Sequence, residues 1–317
     1  MKRKETATAR RETLTHCLFQ EPWWLEAVAP GAWQVAEVRR GGHLVARMPY
    51  LPKRKMGMTL VTAPKLTPVL GPCVCLAEAK AANRLSREHA LLEELLRQLP
   101  TCAYSSIPCH PNVANMLPFH WNSYASEVRY TCQLRDLSDP DAIWAGFREN
   151  IRREVRKAER QLDVRNDLPL ERFWAIHERT IRRARGGMLY SFGLVRRIDD
   201  ACSRRNARKV FFAVDAQDRI HAVNYLVWDE RCAYYLMGGS DPELRGSGAV
   251  SLLMWHAIRH AARTSAVFDF EGSMIRPIER FFRAFGGTLT PYYRAVRMHP
   301  GVRLALAARS LFGGNLG

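Results

Sequence analysis

Apolar and polar positions change period several times along this chain, and each change predicts an element. Residues 17–30 (CLFQEPWWLEAVAP) read as a short amphipathic helix with paired tryptophans. Trp33 to Val38 and Leu44 to Pro49 alternate as two strands about the turn Arg39-Arg40-Gly41-Gly42. Leu51 to Pro72 is broken by prolines and predicts a loop plus an edge strand, with Lys53-Arg54-Lys55 as a loop charge run. Leu91, Leu92, Leu95, Leu96 and Leu99 recur at helix spacing within 85–99. Ala103 to Ile107 and Trp121 to Leu134 predict strands, and Asp136 to Ala142 a turn and cap. Three helices follow: Trp144 to Arg160, the most basic, then Leu170 to Ala184 and Leu194 to Arg204. Lys209 to Asp215, His221 to Asp229 and Ala233 to Gly238 predict three strands, and Thr288 to Met298 the last one. Residues 299–313 read as a short basic amphipathic tail. No tandem repeat with a period of about 20–50 residues is present.

The stretch from 233 to 287 carries the most chemistry. The strand at Ala233 runs through Arg245-Gly246-Ser247-Gly248 into a helix from Ala249 to His260. A second apolar strand then ends in Asp269, Glu271 and Ser273, and a basic helix closes at Gly286-Gly287. Strand, glycine-rich turn and helix is an anion-binding layout, because unpaired N–H groups at a helix start attract phosphate or carboxylate. Arg245, Gly246, Ser247 and Gly248 are thus candidates for a phosphate cradle; the plainer reading is a loop-to-helix start capped by Ser247.

Asp269 and Glu271 lie two apart in strand alternation and share a face, with Phe268 and Phe270 on the other. A carboxylate there accepts a proton or holds a cationic group, or forms a salt bridge. Arg152, Arg156 and Lys157 fall on overlapping helix faces and offer phosphate contacts, or form a solvated basic face. Tyr190, Ser191, Ser273 and Arg283 are candidates for substrate contact. His256 and His260 are one turn apart, with no third ligand in view for a metal.

The chain has 317 residues and a formal net charge of +17. That charge fits a polyanionic partner: tRNA, a nucleotide-bearing substrate, an acidic carrier protein or an anionic membrane. The plainer reading is an arginine-rich protein with no such partner. Eight cysteines are scattered, and the single C-x-C pair at Cys73 and Cys75 lacks a second pair at zinc spacing. Reduced thiols, a basic start without an apolar h-region and no apolar run of about 18 residues lead to the expectation of a cytoplasmic protein without a membrane span.

The order helix, helix, hairpin, strand, helix, strand, helix, strand resembles the GNAT N-acyltransferase fold. Within it the chain is similar to the Fem-type (FemAB-like) branch, in which two GNAT-like domains stand in tandem. Residues 17–30 resemble that branch's first helix, and Arg148 to Glu159 its basic helix opening the second domain. Tyr235 to Asp241 and Phe268 to Ser273 resemble its two central strands, and Phe281 to Gly287 its closing helix. The resemblance implies a mixed α/β sheet in two tandem GNAT-like domains, a smaller, degenerate one at 1–135 and a catalytic one at 136–317.

It also implies transfer of an activated acyl group to an amine. The donor is a co-substrate, aminoacyl-tRNA as in Fem enzymes that extend a peptidoglycan precursor, or acyl-CoA, and no cofactor is held permanently. The lean is to aminoacyl-tRNA. The strand from Tyr235 to Gly239 would offer a backbone N–H to the oxyanion, with Tyr235, Asp269 and Glu271 as the catalytic candidates. The family's proton donor, a tyrosine in GNAT enzymes and a lysine in Fem enzymes, falls on Phe282, so neither is present. A nucleic-acid-binding protein with a decayed acyl site is the rival expectation.

Overall fold

The computed structural model describes residues 13–76, 80–272 and 274–302. Most of the basic tail at 299–313 and the candidate Ser273 lie outside these residues. A single 3-10 turn, Leu18–Gln20, leads into α1 (Pro22–Val28). The first sheet strands are β1 (Gln34–Arg40), β2 (His43–Lys55), β3 (Met58–Thr62) and the short β4 (Cys73–Val74). Helix α2 (Ala81–Arg97), β5 (Tyr104–Pro108), α3 (Leu117–Trp121) and β6 (Ala125–Leu134) complete the first half.

The second half opens with α4 (Pro140–Gly146) and α5 (Glu149–Ala158), then β7 (Asp163–Arg165). Helices α6 (Leu170–Arg185) and α7 (Phe192–Ser203) precede three strands, β8 (Arg208–Val214), β9 (Ile220–Trp228) and β10 (Cys232–Ser240). Helix α8 (Ala249–Ala261), β11 (Val267–Asp269), α9 (Arg276–Arg283) and β12 (Thr288–Met298) follow.

All twelve strands belong to one mixed sheet, ordered β1-β2-β3-β5-β12-β6-β11-β10-β9-β8-β7, with β4 beside β2. Two neighbouring pairs are parallel, β3 with β5 and β10 with β11. The last strand of each half crosses over. β12 lies between β5 and β6, and β6 pairs with β11. The sequence break at 135/136 falls in the turn after β6, and the sheet runs continuously across it.

Three cores fill the space around the sheet. One packs Phe147, Ile151, Val155, Leu252, Phe268, Phe282 and Phe285 from α5, α8, α9 and β11. A second packs α6 and α7 on the same half of the sheet, and Leu18, Phe19 and Trp24 from the start of the chain enter it. A third seats Leu91, Leu92, Leu95 and Leu96 of α2 on β1, β2 and β3. The leucine spacing of α2 is thus a buried stripe, as its period predicts.

Two local expectations need correction. Residues 144–160 do not form one helix. The backbone leaves helical geometry at Phe147 (ψ 143), whose ring turns inward against Trp255 and Phe285, and Glu149 starts a new helix. Lys53-Arg54-Lys55 is not a loop but the end of β2, paired with Leu60, Thr59 and Met58 of β3.

Candidate active site

The parallel pairing of β10 with β11 lasts for three residues, Cys232↔Val267, Ala233↔Phe268 and Tyr234↔Asp269. Beyond it the strands part, while β10 stays paired with β9 as far as Ser240. A β-bulge between Tyr235 and Met237 bends β10 at the point of parting. The chemistry-bearing side chains gather in three clusters along β10, at Ser240, Tyr234 and Gly238.

The first is the glycine loop. Gly246 and Gly248 hold positive φ, +84 and +80, which favours glycine. A Cβ at Gly248 would collide with the Glu154 carbonyl, so the loop rests directly on α5. Lys157 Nζ donates to the Gly246 carbonyl at 2.7 Å. Gly248 is the N-cap of α8 and supplies no side-chain cap, and Ser247 Oγ accepts only a long 3.4 Å bond from Ala249 N–H. The first-turn N–H groups therefore face a cavity of about 150 Å³ lined by Arg245, Gly246, Ser247, Gly248, Val250 and Phe281, among others. One carboxylate, Glu154, also borders it and accepts the Ser251 hydroxyl at 2.5 Å.

Arg152 and Arg156 do not join this loop. Arg152 binds Glu149 at 2.7 Å and the Ala145 carbonyl, and Arg156 lies over the Trp144 ring at 5.7 Å. Only Lys157 of the three basic candidates on α5 turns toward the loop.

The second cluster is acidic. Asp269 is buried and accepts three hydrogen bonds, from the Thr131 hydroxyl, from Gln133 Nε2 at 2.8 Å and from the Glu271 N–H at 2.8 Å. The last bond pins Glu271 in left-handed geometry, φ +59, so strand alternation stops at Asp269 rather than running through Glu271. Among the described residues no hydrogen bond reaches the Glu271 carboxylate. It lines a pocket with Asp269, His110, Tyr234, Thr131 and Tyr292.

Burial, and then the neighbouring Asp269, push the Glu271 carboxyl well above the usual carboxylate range. Burial also raises Asp269, against the pull of its three donors. The pocket shares His110, Pro111 and Tyr234 with a wider cleft of about 620 Å³ whose rim carries Arg135 and Arg231. As expected, Phe268 and Phe270 are fully buried behind the acidic pair.

The third cluster escaped the sequence reading in part. His177, on the apolar face of α6, places Nδ1 2.8 Å from the Gly238 carbonyl of β10. Its Nε2 lies 2.7 Å from the Tyr190 hydroxyl, in the loop between α6 and α7. Tyr235 runs along its own strand, and its hydroxyl stands over Gly238, where any Cβ would collide with it. Burial pushes Tyr190 and Tyr235 both to about 12 and lowers His177 from its ordinary imidazole value.

Phe282 packs on Tyr235 and Phe270, with ring centroids 6.0 and 5.4 Å away. Of the other substrate candidates, Ser191 caps α7 by accepting the Leu194 N–H, and Arg283 is exposed and paired with Glu279 at 2.7 Å. A lone histidine on a helix between Phe173 and Thr180 reads as core; only the fold brings Gly238 to it from 61 residues away.

Residues 145–283, which hold the loop, the bulged strand, His177, Tyr190 and the Asp269–Glu271 pair, match the family described as acetyltransferase (GNAT) domain. No curated protein matches the chain. Among solved structures, FemX superposes with a TM-score of 0.63 at 14% identity, over 87% of this chain and 91% of that one. The C-terminal domain of a putative lysylphosphatidylglycerol synthetase from Agrobacterium fabrum gives 0.53 at 14% identity, over 92% and 93%. L-PGS from Bacillus licheniformis gives 0.51 at 11% identity, over 88% and 89%. At such identities the likeness is one of fold. The chain is an acyltransferase with a GNAT domain in residues 145–283. Its fold along nearly the whole length is that of the Fem-like enzymes.

Proposed function

We propose that this chain moves an aminoacyl group from charged tRNA to a substrate amine. The observation that carries the reading is the uncapped start of α8, open to a cavity that reaches Ser240 at the end of β10. A donor phosphate bonds the first-turn N–H groups, with Lys157 and Arg245 supplying charge. The acyl carbon then lies in the opening between β10 and β11, where β10 has no strand partner on its β11 side and offers N–H groups to an oxyanion. Glu271 receives the substrate ammonium and takes its first proton, which leaves the amine free to attack. Asp269 is the positioning residue that holds the Glu271 turn.

The net charge of +17 supports tRNA as donor, as do the exposed Lys157, Arg245 and Arg280, which have no acidic partner among the described residues. FemX, the putative lysylphosphatidylglycerol synthetase domain and L-PGS, which share this fold, are consistent with that donor. An acyl-CoA donor is the second reading, favoured by the acetyltransferase family match and by a loop cavity sized for a compact phosphate group.

The test offers a pool of amines with either labelled aminoacyl-tRNA or labelled acyl-CoA and follows label transfer by mass spectrometry. Transfer from aminoacyl-tRNA alone supports the first reading. Transfer from acyl-CoA alone replaces it with the second. Nucleic-acid binding without transfer from any donor overturns both.

A further inference from the structure

We infer that Tyr190 and His177 form the proton relay that stands in for the donor missing at Phe282, with Tyr190 as the catalytic residue and His177 acting through it. This rests on the acyl-transfer reading above. Position 282 is closed to the task, because an apolar ring fills it and packs into the core. The Phe282 ring packs edge-on to Tyr235, and Tyr235 in turn lies close enough to Tyr190 for the two hydroxyls to influence one another.

The geometry fixes the tautomer. A carbonyl oxygen only accepts, so His177 Nδ1 must carry a proton to bond the Gly238 carbonyl at 2.8 Å. Nε2 then has its lone pair free, and the Tyr190 hydroxyl donates into it at 2.7 Å. Two side chains are thereby aligned in one donor direction, from the opening inward to a buried neutral base. His177 is held for the purpose: Phe173 stacks on it at 5.4 Å, and Thr180, one turn along α6, bonds the N–H and carbonyl of Ser240. Gly239 has no room for a Cβ against Thr180 and the His177 backbone, which keeps α6 pressed on β10.

The imidazole is otherwise enclosed by neutral rings: Phe173 and Tyr190 stack on it, and Trp174 tilts against it at 6.0 Å. Arg185 lies near enough to Tyr190 to favour its anion slightly.

The step balances. As the N–C bond forms, the nitrogen of the tetrahedral adduct keeps one proton too many. That proton passes to Tyr190 Oη, and the Tyr190 proton passes to His177 Nε2. The imidazolium keeps its Nδ1–H on the Gly238 carbonyl. When the C–O bond to the donor breaks, the same proton returns through Tyr190 to the departing oxygen, and both side chains are restored. A thioester donor follows the same course with sulfur as the leaving atom.

Tyr190→Phe removes one hydroxyl and no bulk, and it is the decisive variant. With the donor that supports wild-type transfer, kcat is expected to fall about 100-fold, the lower range for lost general acid–base catalysis, while both KM values stay within about twofold. His177→Gln is expected to fall alike, and the double variant to be no slower than Tyr190→Phe alone, as members of one relay are not additive. An unchanged kcat in Tyr190→Phe overturns the relay and leaves the acyl-transfer reading standing, as does a loss confined to the acceptor KM. Additive losses in the double variant also overturn it. Wild-type protein that transfers from neither donor class overturns both readings together.

Discussion

Leaving aside the two-residue β4, the two halves of the sheet run the same series: three strands, a helix, a parallel strand, a helix and a last strand. Each series parts a parallel pair, β3 from β5 beyond Thr62↔Ser106 and β10 from β11 beyond Tyr234↔Asp269. The two gaps are filled differently. In the first half the chain itself enters the gap. Leu70 N–H donates to the Pro108 carbonyl just past the pairing, at 2.7 Å, and Gly71 lies so close to Cys109 that a Cβ would sit 2.9 Å from its Cα. Gln20, wholly buried, clamps that segment through its amide to the carbonyls of Leu70 and Gly71. In the second half no described segment bonds the backbone of β10 on its β11 side past Tyr234. A bulge, a glycine loop and polar side chains surround the space instead. The same architecture thus makes a structural joint when plugged by its own chain and, on the proposed reading, a reaction site when left open.

The comparison breaks most sharply at Glu271. Glu271→Gln should lower transfer about 100-fold or more, since the amine loses its base. Its effect on stability runs the other way. A carboxyl raised in the fold destabilises it as pH climbs from the unfolded value toward the folded one, so the glutamine variant should melt higher in alkali. The gain should be about 2 °C or more near pH 8 and close by about pH 4, read by thermal denaturation. Parallel losses of activity and stability would make Glu271 a structural residue.

Gly248→Ala comes next. The new Cβ meets the Glu154 carbonyl at a positive φ, a strain of about 1–3 kcal/mol, and donor affinity should drop about tenfold as the loop lifts from α5. Titration of donor binding by fluorescence checks it. Lys157→Ala with Arg245→Ala should flatten the salt dependence of tRNA binding by about 1.4–1.8 log units, one phosphate for each cation. Arg152→Ala with Arg156→Ala, already engaged with Glu149 and Trp144, should change that slope by less than half as much. The smallest effect on turnover is expected in the plugged half. Gln20→Ala should cost about 1–3 kcal/mol of stability through the lost buried hydrogen bonds yet leave kcat within about twofold. A large loss of kcat there would mean that the two gaps are not independent.

Much of this plan is legible in the sequence because it rests on local periods. The leucine stripe of α2, the alternation that buries Phe268 and Phe270, and the strand, glycine loop and helix around Arg245 all depend on neighbours a few residues apart. The features that sequence patterns do not show depend on distant partners. Trp144, Phe147 and Ile151 keep helix spacing, so nothing local announces the break that turns Phe147 into the core. His177 looks like one more inward residue of an apolar helix face until Gly238 and Tyr190 arrive. The strand exchange is invisible for the same reason, since register between β12 and β5 is set across nearly two hundred residues.

That exchange has a consequence for how the protein is made. β5 and β6 are synthesised early, and their facing edges are not joined to one another. Both wait for β12, which pairs with Ala125 to Gln133 on one side and with Tyr104 to Pro108 on the other. Until residues 288–298 leave the ribosome, two strand edges stand unpaired in the same nascent chain, open to any other strand that meets them. The final assembly step therefore waits for this last strand, and a chain stopped before Thr288 would be a client for chaperones rather than a smaller working enzyme.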